Sequence, residues 1–154
     1  MKGGQLAIVI AFLALGSCKE LDPETGDLRA TCSDADSNPA VAVDFARDIR
    51  PLIDGDVDGT RGCIGCHSST SGSMEGFVAT GLDLSKLQAL RQGGRSTPPN
   101  LIVVPGKPCD SAIVQKLEGT FTGARMPRGG PFWDATKIQL VRDWIAEGAA
   151  GADE

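Results

Sequence analysis

A chain of 154 residues with a formal charge of −5 and ordinary apolar and charged fractions is long enough for one compact soluble domain. The acidic balance excludes nucleic acid as a partner, because neutralising phosphates requires a clustered basic surface. Tyr is absent and large rings are few, so the polypeptide by itself builds a modest core.

The first 17 residues read as a targeting segment rather than as part of the fold. Lys2 supplies a positive start, and Leu6 to Leu15 form an apolar run too short to span a bilayer comfortably. The tetrapeptide Leu15-Gly16-Ser17-Cys18 that follows resembles a bacterial lipobox, which implies that Cys18 becomes the lipidated first residue of the exported chain. An ordinary secretory signal with an incidental Cys18 is the alternative. Removing Lys2 with this segment takes the formal charge from −5 to −6. Residues 18–43 are acidic and rich in Pro, Gly, Ser and Asp over most of their length, which predicts a disordered tether. A flexible chain of that size would hold the domain about 25–30 Å from the lipid.

Asp44 is placed to cap a helix over about 44–53, with Phe45, Ile49, Leu52 and Ile53 at helical spacing and Pro51 kinking its end. Asp54, Asp56, Asp58 and Gly59 then match the opening of a calcium loop. The twelfth position is Gly65 instead of a bidentate Glu, so a solvated acidic turn is the stronger reading.

Cys63-Ile64-Gly65-Cys66-His67 is the segment that carries chemistry. Two thiols separated by two residues can each add to a vinyl group of one porphyrin, and the adjacent His then falls on the iron. A thioredoxin-like pair would need a βαβ context and has no use for the His. Zinc would need a fourth ligand, which no second CxxC or HxxxH supplies. His67 is the only histidine, and its place directly after Cys66 outweighs the usual reading of a lone His as a packed or surface residue.

Ser68 to Gly76 is small and polar, which predicts a flexible loop along the haem edge. Short helices are expected over about 85–91, with Leu84, Leu87 and Leu90 on one face, and over about 110–118, where Ile113, Val114 and Leu117 face inward. Asp134 caps the longest expected helix, about 134–147. Its apolar stripe Ile138, Val141, Trp144 and Ile145 should meet the first helix around Phe45 and Ile49. With Cys18 assigned to lipid and Cys63 and Cys66 to haem, Cys32 and Cys109 are left as a candidate disulfide, two unpaired thiols being the alternative.

The ordered series Cys63-xx-Cys66-His67, Gly81-Leu-Asp-Leu-Ser85, Gly93-Gly94, Val104-Pro105-Gly106-Lys107-Pro108, Ser111, Arg125-Met126-Pro127, Gly129-Gly130-Pro131, Trp144-Ile145 and Gly148-Ala149 resembles the planctomycete-type cytochrome c domain. The resemblance spans about residues 44–150. It implies a mainly α, class I cytochrome c-like fold, its terminal helices crossing over one covalently attached haem c held by His67 and Met126. The chain departs from that pattern in the acidic insert 54–62 and in standing almost alone, whereas such domains are often modules of larger enzymes. The residues also favour Met126: Met1 leaves with the signal segment and Met74 follows His67 too closely to reach the opposite side of the porphyrin. A core methionine filling a gap is the alternative. Arg61, Arg95, Arg125 and Arg128 are candidates to pair with haem propionates, or are simply solvated.

The expected function is single-electron transfer by a monohaem c-type cytochrome. It would be an exported lipoprotein of the cell envelope facing the periplasm, on the membrane through its lipid anchor, with a redox partner protein in the envelope. No catalytic apparatus is visible. The competing expectation is a haem subunit, or an open-site haem enzyme acting on peroxide or a small gas, within a larger complex.

Overall fold

The computed structural model describes residues 32–57, 59–70, 72–95 and 101–152. The expected signal segment, Cys18, Asp58 and most of the expected tether lie outside these residues. Among the described residues the secondary structure is helical and without strands.

The chain enters at Cys32, which is disulfide-bonded to Cys109 with the Cα atoms 5.5 Å apart. Closing a loop of that length stabilises by about 4 kcal/mol in the chain-entropy account. The part of the 18–43 tether that is described is docked on the domain. Asp34 Oδ1 accepts from Cys109 N–H (2.9 Å), Asp143 Oδ1 from Asn38 N–H (2.7 Å) and Glu147 Oε2 from Val43 N–H (2.9 Å).

Asp44 caps the next element by accepting from Arg47 N–H. The helix expected over 44–53 is present, but it is a wide π-turn, Phe45–Ile49, continued by α1 (Arg50–Asp54). Pro51 has no N–H for the carbonyl four residues back, and the turn before it opens until Arg50 N–H meets Phe45 O. The buried face is Phe45, Ile49, Leu52 and Ile53.

Two glycines accommodate the insert that follows α1. A Cβ on Gly62 would lie 2.5 Å from the Asp54 and Gly55 backbone, and one on Gly55 would lie 2.8 Å from Gly62 N. The two backbones touch, so the insert loops out between them. Cys63 then returns beside α1, its N–H on Ile53 O at 2.6 Å.

One helix is absent from the sequence expectation. Gly76, assigned there to the flexible loop Ser68–Gly76, lies in α2 (Glu75–Thr80), which ends at Gly81 with φ +70°. α3 (Leu87–Gln92) and α4 (Ala112–Glu118) agree closely with expectation, α4 being preceded by a 3-10 turn at Pro108–Asp110. Buried Ser111 explains the proline turn before α4: its Oγ accepts from Val104 N–H and donates to Lys107 O, both at 2.9 Å.

α5 (Ala135–Ala146) starts from Asp134, which accepts from Lys137 N–H at 2.9 Å. Its stripe Ile138, Val141, Trp144 and Ile145 is buried, and Trp144 meets Phe45 with ring centroids 5.4 Å apart. The expected pairing of the first and last helices is therefore present, and fully burying such a ring anchors the core. Arg142 of α5 and Glu118 of α4 pair at 3.1 Å, both nearly buried. Burial pushes the Glu118 carboxyl up, while Arg142 and then Arg125 pull it back, so the pair fixes the crossing more than it stabilises it.

Candidate haem site

The attachment motif is a tight turn stitched to its surroundings by backbone. Within it, Cys63 O accepts from Cys66 N–H (3.1 Å) and His67 N–H (2.8 Å). Outside it, Gly65 O accepts from Ser73 N–H (2.8 Å), Cys66 O from Phe77 N–H (2.9 Å) and His67 O from Leu84 N–H (2.7 Å). The segment from 72 to 84, α2 included, thus caps three successive carbonyls of the motif. It approaches so closely because it carries glycines. A Cβ on Gly72 would lie 2.2 Å from Gly65 O, and one on Gly76 would lie 2.7–2.9 Å from three ring atoms of His67.

Cys63 and Cys66 are free, not bonded to each other, although Cys32 and Cys109 are bridged. Burial first, then the charges of Asp54 and Cys66, push the Cys63 thiol up to about 12. A readily exchanging redox thiol is shifted the other way, toward a thiolate near neutrality. The two thiols and the imidazole do not converge into a metal-holding group either, and no such group of His, Cys, Asp and Glu exists among the described residues. Burial holds the His67 imidazole below its ordinary value; the Leu82 backbone opposes this and the Lys116 charge adds to it. His67 Nδ1 is buried without a hydrogen-bond partner. Two free thiols, an imidazole with a buried orphan nitrogen and a side-chain-free glycine wall beside its ring fit a covalently attached haem.

Met126 lies in the loop between α4 and α5, half-buried, with its N–H on Lys116 O at 2.9 Å. The Met126 and His67 side chains share no hydrogen bond. Lys116 O carries the Met126 backbone. The Lys116 ammonium donates to Thr122 O (2.6 Å) and Ala124 O (3.3 Å), holding the loop's ascending limb.

Three of the four candidate arginines hold backbone carbonyls. Arg61 Nη1 donates to Arg128 O (2.9 Å) and Gly130 O (2.8 Å), Arg95 donates to Val78 O, and Arg125 Nε donates to Leu117 O (2.8 Å) while stacking on Phe132 at 4.3 Å. In the acidic turn, Asp54 pairs with Arg50 at 2.8 Å and Asp56 is exposed. A cleft of about 460 Å³ between the insert and Gly130-Pro131 lies to the side and takes no lining residue from the motif.

Sequence reasoning missed α2 and the glycines that let it reach the motif. The available signal was Gly81 as a helix-ending residue after Phe77 and Val78. It also missed Arg61 as a structural donor, for which the sequence carries no signal.

The model of the family described as Planctomycete cytochrome C matches residues 63–129, from the first attachment cysteine to three residues beyond Met126. No curated protein and no solved structure matches the chain.

Proposed function

We propose that residues 63–129, which match the planctomycete cytochrome C family model, form a cytochrome c domain with covalently bound haem c, and that the chain is a one-haem electron carrier. Cys63 and Cys66 would hold the haem by thioether bonds, and His67 and Met126 would take the two axial positions. Bound there, haem c supplies one-electron cycling of its iron.

The protein's own contribution is positioning. The Gly76 backbone packs against the His67 ring and the Leu82 backbone hydrogen-bonds the imidazole, contacts of the kind that orient a ligating His. Met126 is offered from a loop whose ends are fixed on α4 and α5, and a thioether is a soft neutral ligand that favours the reduced iron. The single observation that carries the reading is the CxxCH turn standing at the start of the family match.

The lipobox at Cys18 supports a lipid-anchored protein of the cell envelope that faces the periplasm and exchanges electrons with an envelope partner. The test of the redox reading is a denaturing gel stained for haem, followed by spectra of the oxidised and reduced native protein and of Met126→Ala. Expected are a haem-stained chain and a sulfur-to-iron charge-transfer band toward the red that Met126→Ala abolishes. An unchanged band in that variant contradicts Met126 ligation. Cys18→Ser should release the protein from membranes, and retention of lipid label in that variant contradicts the anchor.

A further inference from the structure

The insert that leaves α1 at Gly55 re-enters the domain at Gly62, and the residue just before that neck is Arg61. Arg61 faces the Met126 loop. One guanidinium nitrogen donates to the carbonyls of Arg128 and Gly130, two and four residues beyond Met126. The return contact comes from buried Trp133, whose Nε1–H donates to Arg61 O at 3.0 Å. Three hydrogen bonds therefore tie the descending limb of the Met126 loop to a residue two positions before Cys63. Cys63 itself is fixed to α1 through Ile53 O.

On the ascending limb the loop is held by α4, through Met126 N–H to Lys116 O and Arg125 Nε to Leu117 O. Arg61 supplies the corresponding hold on the other limb. Without its side chain, Arg128 O and Gly130 O lose this donor, and the limb is left to Trp133 Nε1–H on the Arg61 carbonyl and to Gly130 N–H on Pro127 O, a contact within the loop itself.

We propose that Arg61 is a positioning residue, a latch that ties the Met126 loop to the attachment turn and sets how readily an added ligand displaces Met126 from the iron. The proposal rests on the reading of Met126 as an axial ligand. It predicts a function for the insert that neither the attachment motif nor the methionine reveals: the insert places a cation where the ligand loop needs one.

The test titrates the oxidised holoprotein with imidazole, following the spectrum, in wild type, Arg61→Ala, Trp133→Phe, Met126→Ala and the Arg61→Ala/Met126→Ala double variant. Arg61→Ala should bind imidazole about tenfold more tightly at unchanged haem content, the scale of losing hydrogen bonds to a charged donor. Trp133→Phe removes the Nε1–H together with part of the buried indole, and should shift affinity in the same direction. In the Met126→Ala background, Arg61→Ala should change nothing, because there is no methionine left to hold. Unchanged affinity in Arg61→Ala, with raised affinity in Met126→Ala, overturns the latch and leaves the ligation reading standing. An equal effect of Arg61→Ala in both backgrounds also overturns the latch. Wild-type spectrum and affinity in Met126→Ala overturn the ligation reading and the latch with it.

Discussion

The two sides of the candidate haem site differ in their balance of bonds: beyond Met126 N–H on Lys116 O, the Met126 side relies mainly on side-chain donors. On the His67 side, three motif carbonyls are capped by main-chain N–H groups of residues 73, 77 and 84. On the Met126 side, carbonyls at 122, 124, 128 and 130 are held by the cationic side chains of Lys116 and Arg61, largely in contact with solvent. Main-chain bonds come as a set with the fold, and truncating a side chain does not remove them. Side-chain donors can be deleted one at a time. The attachment side should therefore behave as part of the folding unit, and the methionine side as the part that opens locally while the rest stays folded.

The largest expected effect separates global stability from both sides. Replacing Cys32 and Cys109 together by Ser removes a cross-link remote from the motif and should cost about 4 kcal/mol in denaturant unfolding. The visible spectrum of the folded protein should not change. A spectral change would mean that the docked segment 32–43 reaches the site, which the contacts of Asn38 and Val43 with α5 and its cap do not suggest.

Gly76→Ala is aimed at the attachment side alone. The added methyl meets three atoms of the His67 ring at 2.7–2.9 Å, so either the ring turns or α2 retreats. Overpacking of this kind costs about 1–3 kcal/mol. Reduction potential and paramagnetic resonance should shift through the altered ring plane, with imidazole affinity rising less than in Arg61→Ala. Unchanged stability and resonance would remove Gly76 from the account.

The smallest effect is acid-dependent and belongs to the methionine side, because Asp134 caps the helix that follows the loop. Hydrogen bonds from the Lys137 side chain and then from its backbone hold the Asp134 carboxyl below its ordinary value. A carboxyl lowered in the folded state stabilises above its unfolded value, and that contribution is lost as pH falls through the folded value. Acidification below the ordinary carboxylate range should loosen α5 at its start. Asp134→Asn, which still caps, should remove that part of the acid sensitivity, as read by helical signal against pH. An identical acid profile in the variant would assign the sensitivity elsewhere.

Much of this arrangement was legible in the sequence because it rests on local rules. Asp44 and Asp134 sit where caps belong, and the stripe of α5 meets Phe45 as its period requires. The attachment motif was readable because its five positions have one joint chemical use. What stayed hidden is long-range. Ser68–Gly76 read as loop because small polar residues usually mean one, yet Gly72 and Gly76 are small in order to admit the motif's backbone and the His67 ring. The π-turn came from Pro51 acting one turn upstream, where a kink had been expected at the helix end. Arg61 was one of four candidate propionate partners, and nothing marked it as a donor to the Met126 loop, since its partners lie 67 and 69 residues away.

The central claim is that one haem is bound covalently through Cys63 and Cys66. The intact mass of the purified protein under denaturing conditions tests it most directly, measured beside the Cys63→Ser/Cys66→Ser variant. The account predicts a chain carrying the mass of a single haem, and a variant carrying none. A wild-type chain that sheds its haem on denaturation, or a variant that keeps one, would contradict it.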